Sequence, residues 1–235
     1  MIDVVIINKS NNPAEIRCML DSLNGANIHR IYYIADRCSE EFNNTLMSCK
    51  DSRLIYVMMD DGHEGRRTST LRNIGYVLAR DDKSKVNGVL FVDGDRFFTE
   101  GSSDDIDEDT VNNIPLDGIR DFDDTFLLLF RGQIINKFYS ACVYLPFAVC
   151  DRLECHSYRG ELWNEDIESV WGIEDLFMGN QLNLLGIEYI YNKKIRLNNG
   201  AMTGKDDREE IRNVNRLMME IVKYRDCIHI PTYKF

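Results

Sequence analysis

One ten-residue stretch constrains the fold of this chain more than any other. From Val89 to Phe98 the sequence reads VLFVDGDRFF, so a run of β-branched and aromatic residues ends in two aspartates around one glycine. Such an apolar run is typical of a buried central strand in an α/β protein. Because ligands of open α/β sheets bind beyond the carboxyl ends of the strands, we expect Asp93 and Asp95 to lie at a binding site.

Two carboxylates at that position favour a divalent cation. Carboxylate oxygens are the ligands that hard cations prefer, and a bound cation would in turn attract an anionic group such as a diphosphate. Gly94 allows the sharp turn that lets both carboxylates face one ion. A bare Asp-x-Asp also occurs at ordinary turns and strand ends, so the motif needs support from the rest of the chain.

Elsewhere the hydrophobic pattern alternates between strand and helix. Ahead of the central strand it predicts strands at residues 4–7, 30–35 and 54–58 and helices at residues 13–23, 40–49 and 68–78. Beyond that strand it predicts strands at residues 125–130, 140–145 and 187–191 and helices at residues 147–153, 174–184 and 208–224. This alternation predicts a single α/β domain with a mostly parallel central sheet, flanked by helices and joined by right-handed crossovers.

The segment from Glu100 to Asp109 interrupts the pattern. It carries six carboxylates, two serines and a glycine, with Ile106 as its only large apolar residue. This composition predicts a solvated loop without regular structure. We therefore expect one domain over 1–235 in two halves, 1–98 and 125–235, with the acidic loop and its connection at 99–124.

Composition narrows the class of protein. With 235 residues, 44% of them hydrophobic and 29% charged, the chain is typical of a soluble globular protein with a sizeable core. No apolar run approaches the ~20 residues that span a bilayer, and the first residues have the pattern of a strand rather than a signal peptide. The net charge of −11 argues against broad binding to nucleic acid or anionic membranes.

The cysteines point to a reducing compartment. All seven are scattered and none forms a Cys-x-x-Cys pair, so we expect free thiols and a cytoplasmic location. Cys150, Cys155 and His156 lack a fourth partner for zinc, which favours buried thiols over a metal site.

Polar residues stand at several places that a parallel sheet would bring together. They are Asp36 after the second strand, Arg72 and Asn73 near the start of a helix, Asp93 to Asp95 after the central strand, and Glu174 with Asp175 at the start of a later helix. In this order the segments resemble the GT-A glycosyltransferases, in particular the large inverting family that uses nucleotide-sugar donors.

Three motifs carry the resemblance, besides an opening strand and helix at residues 4–23. Tyr33–Ser39 is similar to the family's second-strand motif, and Trp171–Phe177 resembles its Trp-Gly-x-Glu-Asp motif. Leu71–Gly75 is similar to Ala-Arg-Asn-x-Gly but departs at the first position. The resemblance covers nearly the whole chain, and it implies a GT-A-like fold with a nucleotide-sugar-binding half at 1–98 and an acceptor-binding half at 125–235.

The resemblance also implies a role for each motif residue. The nucleotide sugar would be bound by Asp36, Arg72, Asn73, Asp93 and Gly94, and a Mn²⁺ or Mg²⁺ ion by Asp93 and Asp95. The catalytic residues would be Asp175, as the base, and Glu174; the acceptor would be bound by Trp171, Gly172 and Glu174.

The proposed chemistry needs such groups. A leaving diphosphate must be neutralised, and an acceptor hydroxyl must lose its proton to a nearby carboxylate as it attacks. Simpler interpretations stay open for several residues. Glu174 and Asp175 also suit a helix N-terminus electrostatically, Asp36 suits a turn, Arg72 suits a surface ion pair, and Trp171 suits the core.

One departure from the family concerns the metal. Many relatives place a histidine after the Glu-Asp helix as a third ligand, but residues 196–202 contain none and the only later histidine is His229. An asparagine oxygen, Met202, water or His229 remain as alternatives for that ligand.

The sequence therefore predicts a metal-dependent glycosyltransferase that uses a nucleoside-diphosphate sugar, with a UDP-sugar favoured and inversion expected. The acceptor could be a glycan, a lipid-linked glycan, a protein or a hydroxylated nucleobase in DNA. A local basic groove for DNA could be formed by Arg66-Arg67 and Lys193 to Arg196. The alternatives are a nucleotidyltransferase, which would want glycines after the first strand, and an inactive sugar-nucleotide-binding module. The sequence does not indicate the oligomeric state.

Overall fold

The computed structural model describes residues 1–8, 12–23, 27–60, 67–81, 85–114, 128–130, 133–135, 138, 140–157, 159–167 and 173–198. The predicted helix at 208–224 and the residues Met202 and His229 lie outside these ranges. No helix in the described ranges is both long enough and apolar enough to cross a bilayer.

The first part of the chain alternates strands and helices as the hydrophobic pattern predicts. Its elements are β1 (Ile2–Asn8), α1 (Pro13–Ser22), β2 (Ile28–Asp36), α2 (Glu40–Met47), β3 (Leu54–Met59), α3 (Thr68–Arg80) and β4 (Gly88–Asp93). Strand β1 pairs in parallel with both β2 and β4, and β2 pairs in parallel with β3. The carboxyl ends of these strands therefore meet at one edge of the sheet.

The second part completes the sheet with one reversed strand. Its elements are β5 (Phe98–Glu100), β6 (Val111–Asn113), β7 (Leu128–Phe130), β8 (Gln133–Ile135), β9 (Cys142–Pro146), α4 (Phe147–His156), α5 (Ile173–Leu184), β10 (Tyr189–Tyr191) and β11 (Arg196–Leu197). The main sheet has the order β10-β6-β9-β4-β1-β2-β3, in which β9 runs antiparallel to β4 and β6. The predicted mostly parallel sheet flanked by helices, in a single α/β domain, is confirmed.

The core lies on both faces of this sheet, which is why β1 is apolar almost throughout. Val4 and Ile6 pack on one face, in the same cluster as Ile16 and Met19 of α1. Val5 and Ile7 pack on the other face with the buried side of α3. A strand covered on both faces needs apolar residues at successive positions, so the pattern follows from the position of β1 between helical layers.

Local signals set where the helices begin. The side chain of Asn12 accepts a hydrogen bond from the backbone N–H of Ala14, and Pro13 occupies the first turn of α1, as the sequence predicts. Ser39 caps α2 in the same way, by accepting from the N–H of Phe42. The start of α3 lacks a side-chain cap of its own, because Arg67 stands at that position.

The acidic segment differs from its prediction as a solvated loop. It contains β5, a short 3₁₀ helix at Ser103–Asp105 with a reciprocal cap from Ser102, and then β6. Ile106 is buried in the core, and Glu108 accepts hydrogen bonds from Asn27 and Asn87. The prediction was wrong because carboxylates that bind nearby amides allow a charged segment to be ordered. The expected division of the domain at 99–124 stays a prediction.

Candidate active site

The carboxyl edge of the parallel strands presents the polar residues of the site. Asp93 ends β4, and the next residue turns back toward β1, where the N–H of Gly94 donates to the carbonyl of Ile7 at 2.8 Å. A Cβ on Gly94 would lie 2.7 Å from the side chain of Asn8 and 3.0 Å from the Ile7 carbonyl oxygen. Glycine is therefore required by close approach at this turn.

Arg72 connects the end of β4 to the strand beside it. Its Nη2 donates to Asp93 Oδ1 at 2.9 Å and to the Ser140 carbonyl at 3.0 Å. The guanidinium lies 4.6 Å from the ring centroid of Trp163, a cation–π distance, and the side chain of Arg72 is only 2% exposed. The interpretation of Arg72 as a surface ion pair is therefore wrong, since its side chain is buried.

Asp175 lies on the other side of Ser140. Its Oδ1 accepts hydrogen bonds from the Ser140 backbone N–H, at 3.1 Å, and from the Ser140 hydroxyl. Burial and the adjacent Glu174 carboxylate raise the pKa of Asp175 to about 7, while the Ser140 hydrogen bond and the Arg72 charge act in the opposite direction. A carboxyl group with a pKa near neutrality suits a general base. Glu174 adds a buried oxygen, Oε2, that has no hydrogen-bond partner among the described residues.

Asp95 is the more exposed of the two aspartates that flank Gly94. Its side chain is 48% exposed, against 33% for Asp93, and Arg96 Nε lies 3.4 Å from its Oδ1. Burial raises the pKa of both carboxyls. Repulsion from Glu174 raises the pKa of Asp93 further, and repulsion from Asp93 raises that of Asp95, while the charge of Arg96 lowers both. Nearby cations would relieve this repulsion.

A divalent cation fits this pair, provided that the substrate completes its coordination. No group of three or more His, Cys, Asp or Glu side chains in the described part of the chain is placed to hold a metal by itself. Mg²⁺ commonly takes only one or two carboxylates and fills the remaining positions with phosphate oxygens and water. Asp93 and Asp95 would supply such a donor set, and Asp93 Oδ1 also accepts a hydrogen bond from Arg72.

One alternative for the third metal ligand can be assessed. Asn198 Oδ1 accepts from the N–H of Phe97, and its Nδ2 donates to the carbonyl of Asp95 at 3.1 Å. Both side-chain atoms of Asn198 thus bind the backbone that carries Asp95, so this residue fixes the turn. Asn199, Met202 and His229 lie outside the described residues.

Asp36 ends β2 at the same edge but is covered by two arginines. Arg67 donates to it from Nε at 3.0 Å and from Nη2, and Arg37 donates from Nε and Nη2 at 3.2 Å each. Burial alone would raise the pKa of Asp36, but these hydrogen bonds and charges hold it below its usual range. Arg37 has a φ of 51°, in the left-handed region. The predicted contact between Asp36 and a nucleoside stays a prediction.

Asn73 binds the backbone of Trp163, in the segment between α4 and α5. Its Nδ2 donates to the Trp163 carbonyl at 2.7 Å, and its Oδ1 accepts from the Trp163 N–H at 2.8 Å. Trp163 is 1% exposed and makes an edge contact with Phe91 of β4 at 5.3 Å. Asn73 therefore holds Trp163 against Arg72, and its contact with the nucleotide sugar stays a prediction.

The sequence did not predict two residues of the site, and two residues that it did predict lie outside the described ranges. Ser140 carried no signal beyond its place as the first residue of a predicted strand. Trp163 is a large apolar residue in a polar segment and could have been selected on that ground. Trp171 and Gly172, the predicted acceptor-binding residues, lie outside the described residues. The structure brings together Arg72, Asp93, Ser140 and Asp175, and Asp95 follows at the adjoining turn.

Comparisons with known proteins support the fold. No protein-family model matches the chain, and no curated protein matches it. Among solved structures it resembles the mannosyltransferase PcManGT from Pyrobaculum calidifontis in complex with GDP-Man and Mn²⁺, with a TM-score of 0.63 and 12% identity over 96% of this chain. The chain covers 64% of that enzyme's length. A galactosyltransferase, LgtC, in complex with donor and acceptor sugar analogues matches 76% of this chain and 70% of its own at a TM-score of 0.41 and 12% identity.

The first of these likenesses confirms the predicted GT-A-like fold. At 12% identity it shows the fold alone, and the second is too distant to add to it.

Proposed function

We propose that the protein is a metal-dependent glycosyltransferase that moves a sugar from a nucleoside-diphosphate sugar to a hydroxyl group. The observation that carries the proposal is the chain of contacts from Asp93 through Arg72 and Ser140 to Asp175. It joins a carboxylate pair suited to a cation and diphosphate to a partly buried carboxyl suited to a base. Transfer to a hydroxyl requires both groups within one site.

On the donor side, Asp93 and Asp95 would hold Mn²⁺ or Mg²⁺ through their carboxylate oxygens. A bound cation supplies positive charge that stabilises the leaving diphosphate. Arg72 adds a fixed charge behind Asp93, and because it is buried its charge is weakly screened. Gly94 would let the backbone approach the donor closely at this turn.

On the acceptor side, Asp175 would take the proton of the attacking hydroxyl. Its ionised form is available from about pH 7 upward, because its pKa lies near that value. Glu174 would bind the acceptor through its buried, unpartnered Oε2, and Trp171 and Gly172 would form part of the same pocket. A base that activates the acceptor directly leads to inversion at the anomeric carbon.

We propose a UDP-sugar as the first donor to test. GDP-mannose belongs in the same panel, because it is the donor in the complex of the structural neighbour. A glycan is the acceptor class that we favour, and a hydroxylated nucleobase in DNA is the minority alternative because the net charge is −11.

Isothermal titration with UDP, GDP, CDP and ADP, each with Mn²⁺ and with chelator, tests the donor site. We expect one diphosphate to bind only with Mn²⁺, and we expect Asp95→Ala to abolish that binding. Asp104→Asn, an exposed change in the acidic segment, serves as the matched control that should bind normally. Failure of all four diphosphates to bind would remove the donor site and leave Asp93 to Asp95 as an ordinary strand end.

A finding of metal-dependent binding leads to a transfer assay. The matching nucleotide sugars are incubated with mono- and oligosaccharide acceptors, and release of the diphosphate is measured. Tight binding without any release, with all acceptors tried and over pH 6–9, would favour the inactive binding module over the enzyme.

A further inference from the structure

We infer that Ser140 is a positioning residue that holds the Asp175 carboxylate in its ionised form and ties it to the donor side of the site. The inference rests on the proposed function, because it takes Asp175 as the base. Ser140 itself has no direct chemical role in it.

The geometry places three bonds on one residue. The backbone N–H and the hydroxyl of Ser140 both donate to the same oxygen of Asp175. The carbonyl of Ser140 accepts from Arg72 Nη2 at 3.0 Å, and that nitrogen also donates to Asp93 at 2.9 Å. Ser140 is 3% exposed, so water does not replace these contacts readily.

The position of Ser140 in the fold explains why it can make these contacts. It lies two residues before β9, which pairs antiparallel with β4 so that Val92 faces Cys142. The N–H of Asp93 donates to the carbonyl of Ala141 at 2.9 Å, so the two segments stay paired at the site. The serine is therefore fixed by the sheet between an aspartate from β4 and the first turn of α5.

Several charged groups act on Asp175 and decide the sign of the effect. Glu174 on α5 and Asp93 on β4 raise its pKa by repulsion, and burial raises it further. Arg72 on α3 lowers it by attraction. The two donors of Ser140 favour the ionised carboxylate, because hydrogen bonds to the charged form stabilise that form. Removal of the Ser140 hydroxyl should therefore raise the pKa of Asp175, because burial and repulsion are then less opposed.

Ser140→Ala removes only the hydroxyl, and Ser140→Thr restores it. In Ser140→Ala we expect the acidic limb of the pH profile of turnover to shift to higher pH by about one unit. This is the shift expected for the loss of one charge-assisted hydrogen bond. Turnover at pH 7 should then fall several-fold and recover at pH 8.5, while the Kd for the diphosphate with Mn²⁺ stays within about two-fold. Ser140→Thr should keep the limb of the wild type.

The matched control is Ser103→Ala. Ser103 is also buried, at 2% exposure, and its hydroxyl has no hydrogen-bond partner in the part of the chain that the structure describes, so this change should leave the pH profile unaltered. A loss of turnover in Ser140→Ala that does not recover at high pH would show a merely structural role and would overturn the inference.

A second measurement does not depend on turnover. The side-chain carboxyl of Asp175 is followed by ¹³C NMR through a pH titration and assigned by its absence in Asp175→Asn. We expect the midpoint to rise in Ser140→Ala and to return in Ser140→Thr, and equal midpoints in all three proteins would overturn the inference. Because the titration needs no substrate, a failure of the glycosyltransferase proposal would leave this result readable on its own.

Discussion

Asp175 illustrates how a single residue can be costly to the fold and useful to the site. As pH rises from about 4, an aspartate in the unfolded chain ionises first, while the folded Asp175 keeps its proton until about pH 7. The folded state therefore loses stability across this interval and stays less stable above it. An aspartate that lowers the stability of the folded state in this way is typical of a functional site, where its raised pKa serves catalysis.

Asp175→Asn separates the two effects. The amide oxygen can still accept from Ser140, but it cannot take a proton from a hydroxyl. We expect turnover to be lost, metal-dependent diphosphate binding to be kept, and the melting temperature at pH 8 to rise by at least about 2–4 °C, which corresponds to 1 kcal/mol in a chain of this size.

Asp109→Asn changes an exposed aspartate of the acidic segment and should alter neither property. The gain in stability should disappear below about pH 3, where Asp175 is protonated in both the folded and the unfolded state. Unchanged turnover in Asp175→Asn would remove the base assignment, and a lower melting temperature at pH 8 would contradict the raised pKa.

At the scale of elements, the position of α3 on the sheet determines where Arg72 and Asn73 lie. A Cβ on Gly75 would come within 2.3 Å of Val5 Cγ1 and 3.0 Å of Cγ2, both on β1. These distances are well below van der Waals contact, so the helix can approach the strand this closely only through glycine. The same turn of α3 carries the two residues that reach Asp93 and Trp163.

Gly75→Ala should therefore destabilise the protein in spite of alanine's better helix propensity. Overpacking of a filled core costs about 1–3 kcal/mol, against about 1 kcal/mol gained from propensity. Urea unfolding of Gly75→Ala, Val5→Ala and the double variant measures the coupling, and we expect the double variant to be more stable than the sum of the single changes predicts. Strict additivity would show that α3 shifts without contact with Val5.

Elements with strong periodicity were predictable, and those fixed by tertiary contacts were not. The apolar runs around Val5 and Phe91 predicted central strands, because a short continuous apolar run is typical of a strand that is covered on both faces. Trp163 and Ser140 gave no such signal, since their importance comes from Asn73, Arg72 and Asp175, which lie 35 to 91 residues away in the chain. Motif residues indicated where the site lies, but not which of them bind one another.

At the scale of the whole molecule, the acidic segment closes the end of the sheet opposite the site. Glu108 accepts hydrogen bonds at 2.5 Å from Asn27, which precedes β2, and from Asn87, which precedes β4. The backbone amine of Met1, before β1, lies 3.1 Å from the same carboxylate. One side chain thus joins the amino ends of three parallel strands, about 20 Å from their carboxyl ends.

This arrangement predicts that stability and function are separable along the length of the strands. Burial would raise the pKa of Glu108, but the hydrogen bonds from Asn27 and from the N-terminal amine outweigh it and lower that pKa. A lowered pKa means that Glu108 contributes stability above the ordinary glutamate pKa of about 4.3, and that this contribution is lost as pH falls through the folded value.

Glu108→Gln tests this. The amide nitrogen of the glutamine would face an asparagine donor where the wild type has an accepting oxygen. We therefore expect the free energy of unfolding to fall by about 1–3 kcal/mol at pH 7. The melting temperature should fall by about 2–4 °C for each kcal/mol. The difference in stability between Glu108→Gln and the wild type should shrink below about pH 4, because the wild-type carboxylate then becomes protonated and uncharged. Diphosphate binding with Mn²⁺, measured well below the melting temperature, should match that of wild type and of the exposed control Asp104→Asn. Weakened binding in Glu108→Gln would mean that the two ends of the sheet are coupled, because the change would then be transmitted along β1, β2 and β4 to the carboxylates at their far ends.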